Sequence, residues 1–268
     1  MRIVITGATG GIGGETRRQL RAAGHDIVGL DLRADEDEGV LACDVRRQDA
    51  VDAAVAAAAE RLGGLDIVCN VSGLGLVQDT GEPPGAGALA VLDVNLVGAW
   101  RVTGAAVPHL LASRQGPGGR GRVVTVASVL SELTIPFAAA YCASKAGVVA
   151  WSRSLRHEYG TALSVVTMHP GYVRTAIHDD SQRHGIGLEG TMPADSLEAT
   201  GRALLRACVD PRAPRQVVTN AGGRVSLLLG QHAPGLADRL VTASMRRQLR
   251  KPEHSGDVMV QGMAGRLG

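Results

Sequence analysis

Short apolar runs alternate with longer amphipathic stretches along most of this chain. The apolar runs are rich in Val and Ile and are bounded by Gly, Asp or Asn, a pattern typical of buried strands. They predict strands at residues 2–6, 25–31, 65–70, 123–126, 163–168 and 216–219, and a shorter apolar run covers 40–42. Helical spacing of apolar positions predicts helices near residues 11–23, 50–62, 86–111 and 194–208, and one more that carries Tyr141 and Lys145.

The order of these segments predicts the fold class. Strands that alternate with helices form parallel sheets, and the helices then cover both faces. We therefore expect an α/β protein with a Rossmann-like, doubly wound parallel sheet in three layers, α/β/α, folded as a single domain. We expect the sheet domain to span residues 1–222 and a C-terminal helical extension, 223–268, to pack on it. The irregular stretch 175–193 suits a mobile lid, and a solvated loop without function is the alternative.

Composition excludes several classes of protein. The chain has 268 residues, 45% of them hydrophobic and 20% charged, which is ordinary for a globular domain. The formal charge is +2 without a concentrated basic block, so we expect no nucleic-acid partner. The four cysteines show neither C-x-x-C spacing nor a metal-ligand cluster, so we expect reduced thiols and no metal. No signal peptide and no apolar run of about 18 residues is visible, so we expect a cytoplasmic protein without an integral membrane segment.

Tyr141 and Lys145 are candidates for acid–base chemistry. Residues four apart on a helix share one face, so the phenol and the ammonium are expected to be neighbours. A cation favours the phenolate, so we expect Lys145 to lower the tyrosine pKa from about 10 and to suit it to general acid–base catalysis. A chance pair is the alternative, but Lys145 is one of only two lysines among 28 basic residues. Ser128, which ends the preceding strand, is placed to present its hydroxyl to the same spot.

A second candidate site follows the first strand. The segment Thr6-Gly7-Ala8-Thr9-Gly10-Gly11-Ile12-Gly13 joins a strand to a helix, where glycines allow a tight turn and leave the helix N-terminus free for a pyrophosphate. Asp31 ends the second strand, where a carboxylate accepts hydrogen bonds from adenosine ribose hydroxyls. Together these features predict a dinucleotide site. In the alternative interpretation, the glycines only form a tight loop that Asp31 caps.

These motifs resemble the classical short-chain dehydrogenase/reductase family over about residues 2–219. Gly7, Gly11 and Gly13 match its T-G-x-x-x-G-x-G pattern. Gly7, Gly10 and Gly13 also match the G-x-x-G-x-x-G pattern of the family's extended branch, but 268 residues leave no room for that branch's larger substrate domain.

Other positions match the classical pattern in order and spacing. Ser128 precedes Tyr141 by thirteen residues, as in the family. The further matches, in chain order, are Asp44-Val45, Asn95, Pro136, Pro170-Gly171 and Thr175.

Three departures from the family pattern stand out. The family's N-N-A-G appears here as Asn70-Val71-Ser72-Gly73, which puts the hydrogen bonding there in question. Ser131 replaces a common glycine, and we expect it to narrow the substrate pocket. The tail after Thr219 lacks the usual D-G-G ending, which puts the family's tetramer contact in question.

The resemblance implies an NAD(P)-dependent oxidoreductase that interconverts a secondary alcohol and a ketone or aldehyde. It implies that Tyr141 passes the proton and that Ser128 binds the substrate oxygen. Lys145 is implied to lower the tyrosine pKa and hold the nicotinamide ribose, and Asn95 to support a proton-relay water. The implied cofactor contacts are Gly7, Thr9, Gly10, Gly11, Ile12, Gly13, Asp31, Leu32, Asp44, Val45, Asn70, Ser72, Gly73, Tyr141, Lys145, Pro170, Gly171, Val173 and Thr175.

Asp31 also predicts NAD(H) in preference to NADP(H), because a carboxylate there repels a 2′-phosphate. In the family, NADP binding usually uses a basic residue just before the second glycine or just after the acid, and Gly10 and Leu32 hold those positions here. Arg33 is the complication, but acidic residues at 35–38 surround it.

Two other functions and one assembly remain open. A nucleotide-sensing regulatory protein on the same fold is the alternative to an enzyme. Residues 225–251 combine apolar positions with arginines, so a membrane surface is an alternative to packing on the protein itself. We expect a homodimer or homotetramer built on the Tyr141 helix, whose small and apolar residues occupy more than one face. The substrate-determining loops are expected at 73–84, 131–137 and 175–192.

Overall fold

A computed structural model describes residues 1–184, 194–249, 262 and 265–266. Within them, seven strands form one sheet in the order β3-β2-β1-β4-β5-β6-β7, and every neighbouring pair is parallel. The strands are β1 Arg2–Thr6, β2 Asp26–Asp31, β3 Val40–Ala42, β4 Ile67–Asn70, β5 Arg122–Val126, β6 Ser164–His169 and β7 Gln216–Val218. The predicted parallel sheet is confirmed.

Helices connect most of these strands. They are α1 Gly11–Ala22, α2 Gln48–Leu62, α3 Ala86–Leu92, α4 Ala99–Ala112, α5 Ala139–Tyr159, α6 Asp179–Arg183, α7 Leu197–Val209, α8 Ala221–His232 and α9 Pro234–Leu249. A π-helical turn, Asp93–Gly98, joins α3 to α4, and short 3₁₀ turns occupy Val129–Ser131 and Ala176–His178. Most predicted segments therefore lie within a few residues of their predicted bounds.

The core lies in two layers, one on each face of the sheet. On one face, apolar residues such as Val68 and Val123 pack against α2, α4 and α5. On the other face, residues such as Ile5 and Val166 pack against α1 and α7. Successive side chains of a strand point to opposite faces, so continuous Val/Ile runs can supply both layers at once. The single-domain, three-layer α/β/α fold is confirmed.

The strand order reverses beside β1. From β1 the chain builds outward through β2 to β3, then returns to place β4 on the other side of β1. The loops that follow β1 and β4 leave in opposite directions at such a switch point, and a crevice opens between them at the carboxyl ends of the strands. The order of the strands alone therefore predicts where a ligand cleft lies.

Strand–helix alternation is interrupted between β2 and β3. Residues 32–39 join β2 to β3 without a helix. This connection turns back at Gly39, whose φ is +57°, and Glu38 is tied to α1 by ion pairs with Arg17 and Arg21. A three-residue edge strand needs only this short crossover, so no helix forms between β2 and β3.

The continuous helix Ala86–Ala112, which comprises α3, the π-turn and α4, is long and apolar enough to cross a membrane by length and composition alone, with a mean hydropathy of 1.2. By this measure the helix departs from the expectation that no apolar run of about 18 residues exists, although it gives no clear membrane span. Val102, Ala106 and Leu110 of this helix are fully buried in the core. Packing on the sheet accounts for the apolar character of this face, whereas Leu89 and Trp100 of the same helix are exposed.

The C-terminal part of the described chain is a helical hairpin. α8 contacts β7 and the turn Val129–Ser131, whereas α9 contacts α8. The predicted end of this region, with Lys251 and residues 256–261, lies outside the described residues, as does the segment 185–193 of the predicted lid.

Candidate functional site

The glycine loop between β1 and α1 brings the chain into close backbone contact with the loop after β4. Gly7 has φ +64°, and a Cβ there would lie 3.0 Å from the backbone of Ser72. A Cβ on Gly13 would overlap the Gly7 carbonyl oxygen. α1 begins after Gly10 without a side-chain cap, so the amide groups of its first turn keep their hydrogen-bonding capacity. This arrangement suits an anionic group such as a pyrophosphate.

A cleft of about 400 Å³ runs from this loop along the carboxyl edge of the sheet. Most residues that the sequence assigned to the cofactor line it. They are Gly7, Thr9, Gly10, Gly11, Ile12, Gly13, Asp31, Leu32, Asp44, Val45, Ser72, Gly73, Tyr141, Lys145, Pro170, Gly171, Val173 and Thr175. The two exceptions among the predicted site residues are Asn70 and Asn95.

Acidic residues mark the end of the cleft away from Tyr141. Asp31 Oδ2 accepts hydrogen bonds from Thr9 N at 2.9 Å and from Thr9 Oγ1 at 2.7 Å, so the carboxylate is fixed against the glycine loop. Asp44 forms a fork with Arg46, in which Nε lies 2.9 Å from Oδ1 and Nη2 lies 2.7 Å from Oδ2. The Arg46 guanidinium beside Asp44 lowers the pKa of that carboxyl. Arg46, the cationic residue that lines this end of the cleft, is therefore already paired with Asp44.

Asn70 does not line the cleft, and its assignment as a cofactor contact stays a prediction. Its side chain is buried, and Nδ2 donates to Thr103 Oγ1 of α4 at 2.9 Å. The strand pleat turns this side chain toward the helix layer. Thr6 holds the loop instead, because its Oγ1 accepts from Val71 N at 3.0 Å and from Ser72 N at 3.1 Å. The sequence contained no signal for this contact beyond a threonine at the end of β1.

Ser128, Tyr141 and Lys145 meet at the other end of the cleft. Ser128 follows β5 and caps the turn Val129–Ser131, with its Oγ accepting from Leu130 N at 3.1 Å. Tyr141 lies in the first turn of α5, and Lys145 lies one turn further on, with Nζ 5.6 Å from the centre of the tyrosine ring. The ammonium donates to the Val126 carbonyl oxygen at 2.9 Å and is 3% exposed.

The tyrosine pKa differs from the sequence expectation. Burial raises the pKa of Tyr141 to about 12, and its hydrogen-bonding contact with Ser128 acts in the opposite direction. Burial also lowers the pKa of Lys145 to about 8. The expected lowering by Lys145 is thus absent from this structure, because desolvation dominates the shift and the ammonium donates to the Val126 carbonyl oxygen.

Asn95 lies within the π-helical turn, behind the cleft rather than in its wall. Its Oδ1 accepts from Leu74 N at 2.7 Å, and its Nδ2 donates to Leu74 O and to Ser144 Oγ, each at 3.0 Å. π-turns inside helices often mark functional sites. Here the turn places the Asn95 amide between the loop after β4 and α5, the helix that carries Lys145. Both the oxygen and the nitrogen of this amide are hydrogen-bonded.

Ser131 does not narrow the pocket, which corrects the sequence expectation. It is buried beneath the turn after β5, where its Oγ donates to the Ser128 carbonyl oxygen at 2.7 Å. His169 lies beside it, with Nδ1 3.1 Å from the same carbonyl and 3.3 Å from Ser131 Oγ. Burial lowers the pKa of His169, which favours the neutral ring. Ser131 and His169 therefore hold the backbone of Ser128, a role that no sequence pattern indicated.

The described part of the predicted lid contributes to the wall near Tyr141. Tyr172 and His178 line the cleft, and their rings form an edge-on contact with centres 4.8 Å apart. Burial lowers the pKa of His178. Asp180 Oδ2 accepts from Val77 N at 2.9 Å, which attaches this segment to the loop after β4. Sequence reasoning named these loops, but not Tyr172 or the Asp180 contact.

Thr175 and Gly171 fit tightly around the same cleft. A Cβ on Gly11 would lie 2.6 Å from Thr175 Cγ2, so the glycine allows the segment after β6 to lie on α1. Gly171 N donates to Thr219 Oγ1 at 3.1 Å, which fixes the backbone that follows Pro170.

The cysteines and other metal-binding side chains form no candidate metal site in the part of the chain that the structure describes. The four cysteines are buried free thiols.

Comparison with known proteins gives consistent matches. A family model for short chain dehydrogenases matches residues 1–185. The chain is 30% identical over 281 residues to "Dehydrogenase/reductase SDR family member 7B" of Bos taurus, and the match covers 94% of this chain and 83% of that protein. It is 33% identical over 204 residues to a "Putative ketoacyl reductase" of Streptomyces coelicolor, covering 68% of this chain and 74% of the relative.

Solved structures of similar fold include a short chain dehydrogenase from Burkholderia cenocepacia in complex with NADP. It superposes with a TM-score of 0.73 at 21% identity and covers 89% of this chain and 96% of its own. The ligand-free aldohexose dehydrogenase of Thermoplasma acidophilum superposes with a TM-score of 0.69 at 19% identity, over 78% and 87% of the two chains. At these identities the likeness supports the fold alone.

Proposed function

This chain belongs to the short-chain dehydrogenase family of oxidoreductases, and from that premise we propose that it interconverts a secondary alcohol and a ketone or aldehyde with a nicotinamide cofactor, NAD(H) in preference to NADP(H). The observation that carries the proposal is the shared cleft. One end of the cleft holds Ser128, Tyr141 and Lys145, and the other end holds the glycine loop and Asp31.

The residues of the cleft fit a dinucleotide. The uncapped N-terminus of α1 suits the pyrophosphate, and Asp31 is positioned to accept from the adenosine ribose. We assign Asp44 and Val45 to the adenine end, by the resemblance noted above. Lys145 and Tyr141 then flank the nicotinamide ribose.

When bound, the nicotinamide supplies or accepts the hydride, and side chains of this protein handle the proton. In the direction of reduction, Tyr141 Oη donates its proton to the carbonyl oxygen as the carbonyl carbon gains the hydride. The carbonyl becomes an alcohol, and Tyr141 is left as a phenolate. Ser128 Oγ accepts from Leu130 N and contacts Tyr141, and its hydroxyl hydrogen can rotate to donate to the same substrate oxygen.

Lys145 makes that phenolate attainable. Burial raises the tyrosine pKa to about 12 even with the contact to Ser128, which disfavours loss of its proton. The Lys145 ammonium, 5.6 Å from the ring centre, offsets part of this cost once negative charge develops on Tyr141. The developing phenolate in turn favours the protonated form of Lys145, whose pKa burial has lowered to about 8. The two groups therefore support each other's charged state during the reaction.

Asn95 acts as a positioning residue in this proposal. Its amide ties the loop after β4 to Ser144 of α5, one residue before Lys145. A proton-relay water beside it, which the family resemblance implies, stays a prediction.

The substrate end of the cleft favours a neutral, largely apolar compound. Leu130, Tyr172 and Ile177 line this end, and His178, which burial keeps toward its neutral form, lies among them. Among the described lining residues, the carboxylates Asp31 and Asp44 lie at the nucleotide end, where Arg46 is paired. We therefore propose uncharged ketones or aldehydes and their alcohols as the substrate class.

The test is a panel of ketones, aldehydes and secondary alcohols assayed by the absorbance of NADH and NADPH. The proposal predicts turnover of at least one uncharged apolar carbonyl compound, faster with NADH. A nucleotide-sensing protein without turnover is the second candidate, and the retention of both Tyr141 and Lys145 disfavours it. Tight NADH binding without turnover anywhere in the panel would favour that second candidate.

A further inference from the structure

A second cleft lies at the edge of the sheet opposite the nucleotide cleft. It has a volume of about 930 Å³ and is bordered by the residues that begin β6 and β7, Ser164 and Gln216. The end of α5 forms one wall, and residues 211–215 form the other. Since the nucleotide cleft lies where the parallel strands end, the two clefts are separated by the length of the sheet.

Cationic side chains converge on this second cleft. Arg120, Arg153, Arg156, Arg215 and His157 line it, and they come from three separate segments of the chain. In the part of the chain that the structure describes, none of the four arginines has a carboxylate within ion-pair distance.

The cleft is distinguished by four arginines that line one cavity without an aspartate or a glutamate among the lining residues. Elsewhere in the structure Arg2, Arg46 and Arg101 each bond an aspartate, at 2.6, 2.7 and 2.7 Å. The carboxylates nearest in sequence, Glu158 and Asp210, do not line the cleft. Like charges held together without counterions destabilise a fold, so the arrangement is best explained by an anion that binds there.

Two of the arginines are fixed in place. Arg156 Nε donates to the Val165 carbonyl at 3.0 Å, and its Nη2 donates to Thr167 Oγ1 at 2.7 Å and to the Arg215 carbonyl at 3.2 Å. Arg120 Nη1 donates to the Thr161 carbonyl at 3.0 Å. Burial and the neighbouring charges of Arg215 and Arg153 lower the pKa of Arg156.

The other two arginines are free to close on a ligand. Arg153 and Arg215 are exposed, and neither guanidinium is hydrogen-bonded to a described residue. Fixed donors at the base with mobile donors at the rim form a site that can surround a compact anion. Guanidinium forks match phosphate oxygens in pairs, and each phosphate offers several acceptors.

We propose that this cleft binds a small molecule that carries two or three linked phosphate groups. The number of guanidinium groups exceeds what a single carboxylate or sulfate would neutralise, and a linked phosphate chain has the charge to match them. The site is independent of the redox chemistry at the opposite edge of the sheet.

The test is calorimetric titration of inorganic tripolyphosphate into the full-length protein saturated with NADH, so that the nucleotide cleft is already filled. The probe should bind the wild type far more tightly than sulfate does. The test variant is Arg153→Gln/Arg215→Gln, which removes the two mobile guanidinium groups and leaves the fixed ones intact. The control is Arg18→Gln/Arg47→Gln, which removes the same charge at exposed positions on α1 and before α2.

The proposal predicts at least a tenfold loss of tripolyphosphate affinity in the test variant. It predicts less than a twofold loss in the control and unchanged NADH affinity in both variants. The test variant should be at least as thermally stable as the wild type, because two of the mutually repelling charges are removed. Equal losses of affinity in the two variants would show that the overall positive charge of the protein, and not this cleft, attracts tripolyphosphate. Binding of sulfate and tripolyphosphate with equal affinity, or no binding of tripolyphosphate, would overturn the proposal. Failure of the oxidoreductase assay would leave these measurements unaffected, because they require only NADH binding.

Discussion

The preference for NAD(H) depends on the charge of Asp31, and Asp31→Asn is the perturbation that isolates it. The asparagine keeps an oxygen acceptor for Thr9 N and Thr9 Oγ1, which donate to Oδ2 of the carboxylate at 2.9 and 2.7 Å. It removes the negative charge and also the second acceptor oxygen, Oδ1, to which Leu32 N donates at 2.8 Å. Two unit charges about 5 Å apart repel by about 2–3 kcal/mol at an effective dielectric constant of about 20–40. With about 2 kcal/mol, the wild type should prefer NADH over NADPH by about 30-fold.

The assay is a fluorescence titration of both reduced cofactors against wild type and variant. Asp31→Asn should bind NADPH at least about tenfold more tightly than the wild type, while NADH weakens by a few-fold because a neutral acceptor replaces a charged one. Asp37→Asn is the matched control, since it removes one exposed negative charge from the same loop and should change either affinity by less than about twofold. NADPH binding the wild type as tightly as NADH would refute the reasoning and assign control of the site to Arg33.

Two further predictions concern pH and assembly. Burial lowers the pKa of Lys145 to about 8, whereas an unfolded lysine titrates near 10.5. The unfolded chain therefore binds more protons between these pH values. As a result, the contribution of Lys145 to the free energy of unfolding should rise as pH increases from 8 toward 10. Urea unfolding of wild type and Lys145→Met across that range checks this, and an equal pH slope in both proteins would contradict it. We also predict a dimer through α5, on which Ala143, Ala146 and Ala150 are exposed, and Ala146→Glu should yield a monomer by light scattering where Ala56→Glu on α2 does not. A monomeric wild type at micromolar concentration would contradict the assembly.

Much of the fold follows from local patterns in the sequence. The Val/Ile runs of β1, β4, β5 and β6 are buried on both faces, so their composition alone indicates central parallel strands. The glycine loop, Asp31 and the Tyr141–Lys145 pair were also predictable, because each combines a residue type with a spacing that has a physical meaning.

Other features depend on contacts that spacing does not encode. Asn70 matched a motif, but its orientation depends on the pleat and on Thr103 of α4, a distant residue. The π-turn that carries Asn95 has no signature in a segment that shows plain helical periodicity. The tyrosine pKa was predicted from one neighbour, whereas it reflects the burial of the whole phenol. These are tertiary effects, and they override local expectations where the chain packs most tightly.

The turnover of Tyr141→Phe decides whether Tyr141 is the proton donor. The substitution removes the hydroxyl that donates the proton and leaves the ring in place, so NADH affinity, measured by fluorescence titration, should stay within about twofold of the wild type. With the carbonyl compound that the wild type reduces fastest, turnover should fall by at least about 100-fold. A variant that binds NADH normally and turns over at nearly the wild-type rate would contradict the assignment of Tyr141 as the proton donor.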